Sequence, residues 1–179
     1  VGYNYPIGDC SRHNNDAFIW IPKNGSSTLR SIFGSTIHNY RDFDVDTYWV
    51  ILRDPVDRWK SGVAEYIYRN PEKEQKVFDY IDLLRFDGHG LPQTTYLQYT
   101  GRTKYIDIED SDWVANIINT TGIQIDTSDL YDNSTKSKPR KVEIASKLED
   151  IITDSLIDEV KEYYRADIDL IERVKRSSK

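Results

Sequence analysis

The chain has 179 residues, enough for a single domain spanning 1–179, and its modest 38% hydrophobic content includes 13 tyrosines and four tryptophans that add buriable area. A net charge of −6 argues against a dedicated nucleic-acid binder, which carries a basic face, although an acidic protein can still hold a local basic cleft. No apolar run approaches the ~20 residues that span a bilayer, so no membrane span is expected.

The elements read in chain order alternate strand and helix, the pattern of an α/β domain. Ala17 to Ile21 is a short apolar run stopped by Pro22, which suits a buried strand. Ser26 to Phe33 follows as a helix, with Ser26 or Ser27 able to cap its start. Residues 36–45 suggest another strand around Ile37. Asp46 to Leu52 is a strand rich in β-branched and aromatic residues. Asp54-Pro55 then reads as an N-cap with proline at the first helical position, and Val56, Trp59, Val63 and Ile67 give that helix an apolar stripe. Tyr105 to Ile108 is a further strand, and Asp112 to Asn119 a helix. Asp126 to Arg140 is polar and reads as a loop, and two or three helices follow from Val142 onward.

Two segments carry chemistry. In Ile21-Pro22-Lys23-Asn24-Gly25-Ser26-Ser27-Thr28 a strand ends, a glycine permits a tight turn, and hydroxyl residues open a helix. The N–H groups and dipole at such a helix start suit a phosphate, and Lys23 adds a mobile cation. The Walker A order is absent, because here the lysine precedes the glycine. In Leu52-Arg53-Asp54-Pro55-Val56-Asp57-Arg58-Trp59-Lys60-Ser61 the arginine sits where a strand hands over to a helix. That is the C-terminal sheet edge where ligands of open α/β sheets bind. An arginine fork with the hydroxyl of Ser61 suits a terminal phosphate. The bland alternatives are an ordinary capped helix and surface pairing of Arg53 and Arg58 with Asp54 and Asp57.

Together these segments resemble the sulfotransferase superfamily that uses 3′-phosphoadenosine 5′-phosphosulfate (PAPS). The loop Ile21–Ser26 is similar to that superfamily's 5′-phosphosulfate loop, and Leu52 to Gly62 to its 3′-phosphate motif. Pro92 to Leu97, Tyr105 to Asp110, Asn133-Ser134-Thr135 and Tyr164 to Ile171 resemble later segments of the carbohydrate (membrane-type) sulfotransferases and their small bacterial relatives. The resemblance implies a three-layer, P-loop-nucleotide-kinase-like fold, with a central mainly parallel sheet flanked by helices. It implies that Lys23 contacts the oxygen bridging phosphate and sulfate, and that backbone N–H groups of Asn24, Gly25, Ser26, Ser27 and Thr28 hold the 5′-phosphate. Arg53 and Ser61 would hold the 3′-phosphate. The donor is then PAPS, the product PAP, the acceptor a hydroxyl of a carbohydrate, and no metal is implied.

A base must take the acceptor's proton. His38 precedes the arginine motif, as the resemblance would have it, whereas His89 lies in a glycine-flanked loop, Asp87-Gly88-His89-Gly90. Both remain candidates, and Glu65 is a third. Lys136, Lys138, Arg140 and Lys141 form a dense basic cluster that reads either as a solvated loop or as a flap over the nucleotide, chiefly through Lys138 and Arg140. Sequons at Asn24, Asn119 and Asn133 read as chance matches, since a glycan on the first would block the ligand loop. Cys10 is alone, which excludes an internal disulfide and, with no signal pattern at the start, fits a cytoplasmic setting. The alternatives to a sulfotransferase are a P-loop kinase-like phosphotransferase and a non-catalytic PAP-binding protein.

Overall fold

The computed structural model describes residues 7–34, 38–40, 44–79, 87–97, 102–126 and 138–177. In chain order its elements are β1 (Asp9–His13), β2 (Asp16–Ile19), α1 (Ser26–Phe33), β3 (His38–Asn39), β4 (Thr47–Leu52), α2 (Pro55–Arg69), α3 (Glu74–Asp79), β5 (Arg102–Asp107), α4 (Trp113–Thr121), α5 (Pro139–Ile151), α6 (Asp154–Tyr163) and α7 (Arg165–Ser177). The chain is α/β and falls into two units that interleave along the sequence. The sheet unit takes in Tyr5–Arg53 and Thr95–Asp132, and the helical unit Val1–Asn4, Asp54–Thr94 and Asn133–Lys179.

In the sheet unit the strands lie in the order β3-β1-β2-β4-β5. β4 pairs in parallel with β2 and with β5, whereas β1 is antiparallel to both β2 and β3. The sheet is therefore mixed, not mainly parallel. The difference comes from β1, whose sequence Asp-Cys-Ser-Arg-His lacks the apolar pattern that marks a strand. It is a strand because a two-residue turn at Asn14-Asn15 folds it back onto β2, with His13 opposite Asp16. Asn14 takes a φ of 52° there, a left-handed conformation that asparagine tolerates better than most residues.

β4 is buried along its whole length, as expected of a strand with neighbours on both sides. Phe18, Trp49 and Ile51 on one sheet face pack with Leu29 and Ile32 of α1 and Ile117 of α4. Phe18 stacks on Phe33 with ring centroids 4.4 Å apart. This core fixes where α1 begins, and hence the loop that precedes it.

The helical unit is organised on α2. Asp54 caps it as the sequence suggests, its carboxylate accepting from the N–H groups of Val56 and Asp57 with Pro55 behind it. Trp59, Val63 and Ile67 form a core with Ile144 and Leu148 of α5, Val160 of α6 and Tyr164. Arg58 is fully buried beside this core and donates to the carbonyl of Leu91 at 2.7 Å. Three helices follow residue 138, and α5 starts at Pro139, just inside the segment read as a loop. Most of that segment, including Asn133-Ser134-Thr135 and Lys136, lies outside the described residues, as does Ile37.

Candidate functional site

Because β2, β4 and β5 run parallel, their C-terminal ends share one edge of the sheet, where open α/β folds bind ligands. The segment that leaves β2 there is the lysine-glycine loop. Pro22 and Lys23 occupy the middle of a tight turn closed by the N–H of Asn24 on the carbonyl of Ile21, at 3.1 Å. Lys23 has a φ of 68°, so with proline before it the turn is of type II, whose third position normally takes glycine or asparagine. A lysine held in a glycine conformation is a local strain, and such strain concentrates at functional sites. Gly25 is also left-handed, with φ 75°, and is the N-cap of α1. Alternation of backbone hand through Lys23, Asn24 and Gly25 is a pattern that gathers N–H groups into an anion-binding concavity.

The serines do not cap α1. Gly25 takes that position and, having no side chain, makes no capping hydrogen bond, so Ser26 is already in the first turn. The helix start thus presents backbone donors without a capping hydroxyl. Ser26 is buried, while Ser27 and Thr28 are half-buried. Asn24 is buried too, and its side-chain amide donates to the carbonyl of Ile51 at 2.7 Å, stapling the loop to β4. That burial also removes Asn24 as a glycan acceptor in the folded chain.

Arg53 is the residue that follows β4, and it reaches the same loop: its Nη1 donates to the carbonyl of Lys23 at 3.2 Å. Its Nε faces Glu109, 3.8 Å away in the turn after β5. The Arg53 guanidinium is thus brought to the backbone of Lys23, with Glu109 as a nearby counter-charge. A scan against protein-family models finds no match to the chain, and neither a search of curated proteins nor one of solved structures finds any. What the site can do rests on its own geometry and on the motifs.

The remaining expected residues are distributed differently. His38 stands in β3, and Cys10 pairs with Ile19 on one side and with His38 on the other. His38 is therefore level with Ile19, two strands across, about 10 Å at the usual strand spacing. Its carbonyl accepts from the Cys10 thiol at 3.2 Å. Ser61 is half-buried on α2, in the helical unit. His89 also belongs to the helical unit, buried in a turn of 3-10 helix at Gly88–Gly90, with its Nδ1 2.9 Å from the carboxylate of Asp87. Glu65 is buried and committed to Lys141 and Arg69, which makes it a structural carboxylate and a poor base.

Lys138 precedes α5, with its ammonium 5.5 Å from the centroid of the Tyr68 ring. Arg140 pairs with Glu74 and Glu143. Lys147 joins the same carboxylates, and the two cations hold the Glu143 carboxyl down at about 2. Sequence reasoning missed Glu109 and Trp113 as neighbours of the loop; only the parallel pairing of β4 with β5 brings them there. It noticed Tyr164 and Asp167 only as part of a resemblance. In the helical unit these two residues pin the segment after His89: the Tyr164 hydroxyl donates to the carbonyl of Gly90, and the fully buried Asp167 carboxylate accepts from the N–H groups of Gln93 and Thr94. Among the described residues no group of three or more His, Cys, Asp or Glu is placed to hold a metal ion, and no helix is long and apolar enough to cross a membrane.

Proposed function

We propose that the loop from Pro22 to Thr28 binds the phosphosulfate end of PAPS and that the chain transfers its sulfuryl group to a carbohydrate hydroxyl. One observation carries the reading: Lys23 is held in a left-handed turn whose carbonyl is gripped by Arg53, beside a helix start without a side-chain cap. Two cations and a set of backbone donors around one loop suit a dianionic group. The three-layer kinase-like arrangement belongs to this proposal, supported by the β2–α1–β4 unit with its ligand loop.

In the reaction the bond from sulfur to the bridging oxygen breaks and a bond from sulfur to the acceptor oxygen forms. The Lys23 ammonium offsets the charge that grows on the bridging oxygen as PAP departs. A base takes the acceptor's proton. His38 is favoured for that role by its place level with Ile19, near the end of β2; His89 has Asp87 to orient its ring.

Thermal unfolding with PAP, PAPS and magnesium ATP tests the donor. A ligand at a hundredfold excess over its Kd stabilises the fold by ~2.7 kcal/mol. PAP and PAPS should give that shift and ATP much less, because ATP lacks the 3′-phosphate that the resemblance assigns to Arg53 and Ser61; equal shifts would sink the sulfotransferase reading and revive the kinase one. Sulfate transfer to a panel of glycans then separates the enzyme from a PAP-binding protein without activity.

A further inference from the structure

We propose that Trp113 is a positioning residue of the phosphate loop, its indole ring holding Gly25 in the conformation that aims the start of α1; this rests on the reading of the loop as a phosphate site. A Cβ placed on Gly25 would lie 2.7 Å from Cη2 and 3.2 Å from Cζ2 of Trp113, with Cδ1 of Ile51 next at 3.6 Å. The ring occupies the space where a side chain at residue 25 would begin. Glycine is therefore required here twice, for its φ of 75° and for the ring.

Trp113 is anchored for this task. It is the first residue of α4, its N–H donates to the carbonyl of Asp110 at 3.2 Å, and it packs against the core formed by Phe18, Leu29, Trp49 and Ile51. Gly25 in turn provides the carbonyl that accepts the first hydrogen bond of α1, from Leu29 at 2.9 Å. Glycine alone has the widest choice of backbone conformations, so a loop whose pivot is glycine needs an outside constraint to keep its donors converged. The aromatic ring is that constraint. It touches the back of the loop through carbon atoms and needs no contact with the anion itself.

The test measures PAP binding by calorimetry, far below the unfolding temperature, on wild type, Trp113→Phe, Trp113→Ala, Gly25→Ala and the double variant Gly25→Ala/Trp113→Ala. Trp113→Ala should weaken PAP by about tenfold or more, as expected when a preorganised site is loosened, and Trp113→Phe should lose much less. Gly25→Ala should bind poorly, and adding Trp113→Ala should return part of the affinity, because removal of the ring relieves the clash but not the φ strain. Should Trp113→Ala fail to fold, Trp113→Leu keeps bulk in the core without the ring plane and is expected to show the same weakening. Wild-type affinity in Trp113→Ala, or in Trp113→Leu where that replaces it, overturns the positioning role. Absence of PAP binding by wild type overturns the phosphate reading and the inference with it.

Discussion

Replacing Lys23 separates two things its position combines: a charge and a strained backbone. A left-handed φ costs an ordinary L-residue about 1–2 kcal/mol, and Lys23 sits at 68°. Lys23→Ala removes the ammonium but keeps a Cβ, so the strain stays. Lys23→Gly removes both, at the cost of about 0.5–1 kcal/mol for the greater freedom of glycine in the unfolded chain. Both variants keep the carbonyl that Arg53 bonds. Lys23→Gly should thus be more stable than Lys23→Ala by up to about 1.5 kcal/mol, and each kcal/mol raises the melting temperature of a chain of this size by about 2–4 °C. Calorimetric unfolding measures the difference directly. On the proposed reading, transfer from PAPS should be abolished in both variants, with PAP binding weakened only modestly, because the charge the lysine is proposed to offset grows mainly in the transition state. If Lys23→Gly melts below Lys23→Ala, the backbone is not strained as argued. If either variant keeps full turnover on a confirmed acceptor, the loop is only a turn that starts a helix.

Glu109→Gln removes the carboxylate 3.8 Å from Arg53 and should tighten PAP binding in calorimetric titration, whereas Arg53→Ala should weaken it through loss of a charge-assisted contact. Asp167→Ala leaves two amides of the Gln93–Thr94 segment without their acceptor and should destabilise the fold by about 2–4 kcal/mol in urea unfolding; a loss below 0.5 kcal/mol would contradict the buried geometry. Replacing His38 and His89 in turn should cut turnover by ~10²–10⁴-fold in one case only, with PAP affinity near normal; normal turnover in both and in the double variant would exclude histidine as the base. Glu143 is held at about 2 against an ordinary 4.5 by hydrogen bonds from Arg140 and Lys147, so its contribution is complete above pH 4.5 and is lost as pH falls toward 2. Acid titration of wild type beside Glu143→Gln should show a gap between them that closes over that interval; a gap unchanged down to pH 2 would show that the ion pairs do not form.

Local pattern alone determines much of this protein. The apolar run ahead of Pro22, the β-branched strand up to Leu52, the Asp54-Pro55 cap and the stripe Val56, Trp59, Val63 and Ile67 each encode their element within a few residues, and each element is present. The lysine-glycine loop and Arg53 are legible for the same reason: a strand end, a turn and a helix start follow one another in the chain. Other features depend on residues that meet only after folding. β1 has no apolar signature and is a strand through its partners. The grip of Arg53 on the Lys23 carbonyl, the Asn24 staple on β4 and the Trp113 ring against Gly25 join residues from different strand ends. Asp167 finds Gln93 across 74 residues. Propensity and periodicity report what a segment prefers by itself, whereas hydrogen-bond partners of buried groups are set by which segments the sheet and the helix cores bring together. The sequence by itself determined the elements and the lysine-glycine loop between β2 and α1; the tertiary structure decided the mixed sheet, the neighbours of that loop and the burial of His89, because those depend on contacts that no local window contains.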